Sequence, residues 1–120
     1  AYAADPARVH LMGFSQGAAT AYAAALRHRG RVRAIAGLVG FVPPGAERAA
    51  AARPLAGLPI HMAVGRRDPY IPLERSRSDA DVLRAAGAVL SYHEYDVGHK
   101  LAAAGMRDLA AWWRAAAGDD

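Results

Sequence analysis

Cysteine is absent from the 120 residues, which excludes disulfides, thiolate catalysis and cysteine-based zinc sites. That fits a reducing compartment, and a cytoplasmic location is expected. No apolar run approaches the ~18–20 residues that span a bilayer, so no membrane span is expected. The N-terminal Ala1-Tyr2-Ala3-Ala4-Asp5-Pro6 has neither a basic n-region nor an apolar core, and is not a signal peptide. An initiator methionine is missing as well, so the chain is expected to start partway through a longer protein. Lysine is nearly absent. Of the 15 Lys+Arg, all but Lys100 are arginine, and against 11 Asp+Glu they leave a net charge of +4. No basic cluster is interleaved with aromatics, so nucleic acid is not expected as a partner. Arg27, Arg29, Arg31 and Arg33 come close together, but they bracket Gly30 at a solvent-exposed helix-to-strand turn.

The hydrophobic share is 53%, enough for a folded core of one domain. Much of it is alanine, which buries little area, so Leu, Val, Ile and the few aromatics must supply the packing. Arg8 to Phe14 reads as a strand that ends abruptly at a Gly-Phe-Ser-Gln-Gly turn. An Ala-rich helix from Gln16 to about His28 follows, closed by Gly30. Val32 to Val39 is a second strand. The loop Gly40-Phe41-Val42-Pro43-Pro44-Gly45 is enforced by its prolines and glycines, and Ala46 to Ala52 suits a short helix. Pro59 to Val64 is a third strand, ended by Gly65. Leu73 to Ala86 is an amphipathic helix with Gly87 as its stop, Val89 to Tyr95 a fourth strand, and Leu101 to about Ala117 a last helix. Strands alternating with helices, and no hairpin signals between them, predict an α/β fold with a parallel sheet.

Three motifs stand at strand ends. Gly13-Phe14-Ser15-Gln16-Gly17 is a G-x-S-x-G pattern, in which a serine on a tight strand-to-helix turn needs small residues two before and two after it. Chance yields such a pattern in about 4% of chains of this length, and here it falls where a strand meets a helix. A serine placed there lies at a helix N-terminus, where free N–H groups favour developing negative charge. Gly65-Arg66-Arg67-Asp68-Pro69-Tyr70-Ile71-Pro72 follows the third strand and Asp96-Val97-Gly98-His99-Lys100 the fourth. In a parallel sheet the loops after the strands gather on one edge, where ligands bind. Ser15, Asp68 and His99 are therefore expected on one edge, and they occur in the order Ser, Asp, His that α/β-hydrolases share. Asp79 and Asp81 lie mid-helix and are expected to face water. His10, His61 and His93 lie within strands, and His28 closes a helix. Trp112 and Trp113 are expected to pack the last helix on the sheet.

The motifs Gly-Phe-Ser-Gln-Gly-Ala (13–18), Gly-Arg-Arg-Asp-Pro-Tyr-Ile-Pro (65–72) and Gly-His-Lys (98–100) resemble those of the phospholipase/carboxylesterase family of α/β-hydrolases, which includes acyl-protein thioesterases. The segment Val39-Gly40-Phe41-Val42-Pro43 also looks like that family's acyl-pocket loop. The resemblance covers the whole chain but only the second half of such a protein, so residues 1–120 are expected to form the C-terminal part of a single α/β-hydrolase domain, its last four strands. It implies Ser15 as nucleophile, His99 as base, Asp68 as orienting acid, the Gln16 N–H as an oxyanion donor, and Phe41, Val42, Tyr70 and Ile71 along the acyl pocket. The expected substrate is a small acyl ester, thioester or lysophospholipid, with no metal or cofactor. A homodimer is left open. The second oxyanion donor of the family has no counterpart here, and the first strand would lack one neighbour, so these residues alone are expected to fold poorly or to associate. From a different class, the chain would be a non-catalytic remnant that binds an acylated ligand or a protein partner.

Overall fold

The computed structural model describes residues 9–117. Four strands, β1 (Val9–Phe14), β2 (Val32–Leu38), β3 (Pro59–Gly65) and β4 (Val89–Tyr95), form one sheet in chain order, every neighbouring pair parallel. Between and after them run α1 (Gln16–Arg27), the four-residue α2 (Ala46–Ala49), α3 (Leu73–Ala85) and α4 (Ala103–Ala117). Short 3-10 turns, Arg29–Arg31 and Ala50–Ala52, follow α1 and α2. The element order is the expected one. The last helix begins two residues later than expected, and Val39 leaves the second strand because its φ is 52°. Arg8, the expected first residue of β1, lies outside the described residues.

The central strands are apolar on both faces because helices cover both. Against one face, α1 and α3 build the larger core, with Tyr22, Ile35, Ile60, Met62 and Leu83 almost fully buried and Leu11, Leu90 and Tyr92 at its margin. Tyr22 lies over Gly37, where a Cβ would collide with the tyrosine hydroxyl. Burial, with the charge of Asp79 nearby, pushes the Tyr22 phenol well up. Across the sheet α4 supplies Leu109, Trp112 and Trp113 against Ala36, Leu38 and Ala63. The two tryptophans therefore face the sheet as expected. His61 is fully buried on this face, stacked on His93 at 4.8 Å and tilted against Trp112 at 5.3 Å.

The two edges of the sheet differ from its centre. β1 leaves Met12 and Phe14 51% and 49% exposed, while β2 and β3 are almost wholly buried. No helix among the described residues is long and apolar enough to cross a membrane.

Candidate active site

Every strand ends at the same edge, so β1, β3 and β4 deliver their following loops side by side. Ser15 sits between β1 and α1 with φ 57° and ψ −117°, a conformation that L side chains adopt only under constraint. The constraint can be named. The Ser15 N–H donates to the Leu38 carbonyl at 2.8 Å and the Ala18 N–H to the Ser15 carbonyl at 3.0 Å. Gly13 lies flat against the Gly17 carbonyl, where a Cβ would collide with backbone. Gly40 lies against Ala18 and the Ser15 carbonyl in the same way. Next to this turn, at the end of β2, Val39 also has a positive φ. A β-branched residue there is a genuine outlier, and its N–H is fixed to the Ala63 carbonyl at 2.7 Å.

The loops after β3 and β4 are bound to each other. Arg66 and Arg67 donate their N–H groups to the carbonyls of Tyr95 and Val97 at 2.8 and 3.0 Å. The Arg67 guanidinium reaches the Asp96 carboxylate at 2.9 Å and the Asp96 carbonyl at 2.8 Å. Gly65 packs against the carbonyls of Val97 and Gly98, leaving no room for a side chain. This brings Asp68 and His99 together: Oδ2 of Asp68 lies 2.6 Å from Nδ1 of His99. The other oxygen, Oδ1, accepts the N–H groups of Tyr70 at 2.8 Å and Ile71 at 3.1 Å. Burial pushes the Asp68 carboxyl up, but the hydrogen bonds from His99, Tyr70 and Ile71 outweigh it and hold the group below its usual range. An ionised carboxylate only accepts, so Nδ1 carries the hydrogen, and in the neutral ring Nε2 keeps a lone pair. That lone pair faces Ser15, whose Oγ is 3.0 Å away. The imidazole lies edge-on to Phe14 at 5.7 Å and to Tyr70 at 5.2 Å.

The chain Asp68–His99–Ser15 opens into a cavity of about 520 Å³ lined by Ser15, Gln16, Phe41, Tyr70, Ile71, Pro72, Arg75 and His99, a volume usual for small-molecule sites. The structure thus brings together Ser15, Asp68, His99, Gln16, Phe41, Tyr70 and Ile71 from among the expected site residues. Val42 is not on this wall. Its side chain is 2% exposed within the α1/α3 core and lines a neighbouring cavity, because its peptide is fixed to α3. Asp79, expected to face water, is buried for the same reason: its Oδ2 accepts the Val42 N–H at 2.9 Å. Asp81 is exposed. Phe14 and Arg75 were not singled out by the sequence. Phe14 occupies a variable position of the motif, and Arg75 resembles any solvated helix arginine until α3 is seen beside the loop. Among the described residues no cluster of three or more His, Asp or Glu side chains could hold a metal.

A family model described as phospholipase/carboxylesterase matches residues 1–116. Among solved structures, the Bacillus cereus carboxylesterase superimposes with a TM-score of 0.82 at 23% identity, over 93% of this chain and 51% of that one. The esterase PE8 gives 0.81 at 26% identity, over 94% and 52%. The Zea mays acyl-protein thioesterase 2 gives 0.75 at 22% identity, over 90% and 55%. The chain therefore has the α/β-hydrolase fold of these proteins and spans about half the length of each.

Proposed function

Because the chain belongs to the phospholipase/carboxylesterase family, we propose that it carries the nucleophile, base and acid of a serine hydrolase that cleaves carboxylic esters, with short or medium acyl esters, thioesters and lysophospholipids as the substrate classes. The observation that carries this reading is the unbroken relay from Asp68 through His99 to Ser15, opening on a largely apolar cavity. His99 takes the Ser15 proton on Nε2 while the oxygen attacks the ester carbon. Asp68 holds the tautomer and stabilises the imidazolium that forms. His99 then protonates the leaving alcohol or thiol, and an acyl group remains on Ser15. Water, deprotonated by His99, releases the acid and restores the serine. The Gln16 N–H, at the first position of α1, has no acceptor within the helix and lies at the cavity, where it suits the developing oxyanion.

One donor is half of what such sites use, and losing a donor typically costs about 10²–10³ in rate. We assign the second donor to a part of the α/β-hydrolase domain beyond these 120 residues, which form its C-terminal part; full activity then depends on that donor.

A fluorophosphonate probe tests the reading, with the adduct located by mass spectrometry. Phosphorus bonds to Ser15 Oγ and fluoride leaves, so the reagent reports an activated serine without needing a known substrate. An adduct on Ser15 that is lost in Ser15→Ala and nearly lost in His99→Ala is the expected result. Absence of an adduct both in this chain and in a longer parent would sink the reading in favour of a non-catalytic acyl-binding protein.

A further inference from the structure

We propose that Arg75 and Asp79, one turn apart on α3, are positioning residues that set the acyl wall of the cavity by clamping the Phe41–Val42 segment. This rests on the hydrolase reading above, since it concerns the same cavity. Both polar groups of a single loop residue are held by this one pair. Asp79 Oδ2 accepts the Val42 N–H at 2.9 Å, and Arg75 Nη2 donates to the Val42 carbonyl at 2.6 Å. The two side chains are locked to each other, Nε to Oδ1, at 2.9 Å. The arginine also lies over the Phe41 ring, its guanidinium carbon 5.7 Å from the ring centre.

Geometry explains why a clamp is needed. The segment follows Val39, whose backbone is strained, and ends at Pro43-Pro44, which have no N–H to anchor. No other side-chain hydrogen bond to Val42 is present among the described residues. Phe41 faces the cavity and Val42 faces the core, so the peptide between them decides how far the phenyl ring intrudes. The clamp also ties that wall to the Asp68 loop, because α3 starts directly after Pro72. Asp79 is buried and both its oxygens are engaged, so its role is in the anchor rather than in contact with substrate. Lysine cannot replace Arg75, because one ammonium lacks the planar fork that meets a carboxylate, a carbonyl and an aromatic face together.

The inference predicts that acyl-chain discrimination depends on the pair. Ethyl and decyl fluorophosphonates label the same serine but differ in how much of the wall they touch. In Arg75→Ala, Arg75→Lys and Asp79→Asn the ratio of decyl to ethyl labelling rates should fall about tenfold, as expected for loss of a charge-assisted hydrogen bond. Hydrogen exchange of the Val42 N–H should quicken in Arg75→Ala while the β2 amides keep their protection. An unchanged ratio, or full rescue by Arg75→Lys, would overturn the clamp while leaving the hydrolase reading intact. An unchanged Val42 exchange rate would overturn it too. If neither probe labels the wild type, in this chain or in a longer parent, the hydrolase reading falls, and the acyl-wall role with it.

Discussion

The two arms of the site are supported in opposite ways. Asp68 and His99 follow β3 and β4, adjacent strands whose loops exchange backbone hydrogen bonds, share the Arg67–Asp96 pair and interlock at Gly65 and Gly98. Their geometry is determined twice over. Ser15 follows β1, which among the described residues has a strand on one side only, and its position depends on a strained turn braced by glycine contacts and one bond to Leu38. On the proposed roles, the acid–base arm is thus self-supporting, whereas the nucleophile arm is secured, among the described residues, on its inner flank alone. A residue can therefore matter by being irreplaceable in one arm and merely helpful in the other.

The largest expected effect breaks the acid–base arm chemically. Asp68→Asn keeps the shape but lets the amide favour the wrong imidazole tautomer, and Ser15 labelling should slow on the order of 10⁴-fold with the melting temperature little changed. A loss below tenfold would mean that Asp68 does not orient His99. Next comes Gly13→Ala, which strikes the nucleophile arm mechanically, since the new methyl meets the Gly17 carbonyl and the Ala18 nitrogen. We expect a destabilisation of about 2–3 kcal/mol, read by denaturant unfolding, together with slower labelling. An unaffected variant would show that the turn is looser than its contacts imply.

Acid sharpens the contrast further. His61, on β3 beneath the acid–base arm, has both ring nitrogens without a hydrogen-bond partner among the described residues. Burial pushes it from 6.5 down to about 4, with the neighbouring His93 adding to the shift and Asp108 opposing it. Between those values the unfolded chain binds a proton that the folded chain refuses, so stability should fall as pH drops from about 6.5 to 4. His61→Leu should flatten that slope. An equal slope in wild type and variant would assign the acid sensitivity elsewhere. The Asp68 contribution, by contrast, is present above the ordinary 3.8 and is lost only as pH falls through its depressed folded value. The smallest thermodynamic effect belongs to the open flank. Met12→Lys should leave unfolding within about 0.5 kcal/mol of wild type while reducing self-association in sedimentation, because a charge blunts an exposed edge. Unaltered association would mean that another surface drives it.

Particular residues show what the sequence made legible. The alternation of apolar runs with Ala-rich segments foretold the parallel sheet, because β2 and β3 really are apolar on both faces. The motif glycines mark backbone contacts that leave no room for a Cβ, so their spacing carries three-dimensional information. Asp79 was illegible for a definite reason. It belongs to the buried stripe Ser76, Asp79, Ala80, Leu83 of α3, but hydropathy assigns an aspartate to water, and the Val42 N–H that reverses this lies 37 residues away. Val42 failed by the converse route, as an apolar side chain in the right loop whose peptide is pinned so that it faces the core. The strained φ of Val39 leaves no trace in composition, since valine is what an ordinary strand would use.

The strand order has a consequence in time. Each strand pairs with the one made before it, so the sheet can grow as the chain leaves the ribosome. Ser15 emerges first and His99 follows 84 residues later. At roughly 5–20 residues per second, the serine spends on the order of 4–17 s without its base. The turn that will activate it can already be shaped, yet its hydroxyl stays as unreactive as any other serine until the last strand is laid down. On the proposed mechanism, activation is thereby tied to the arrival of β4 and of the His99 that follows it.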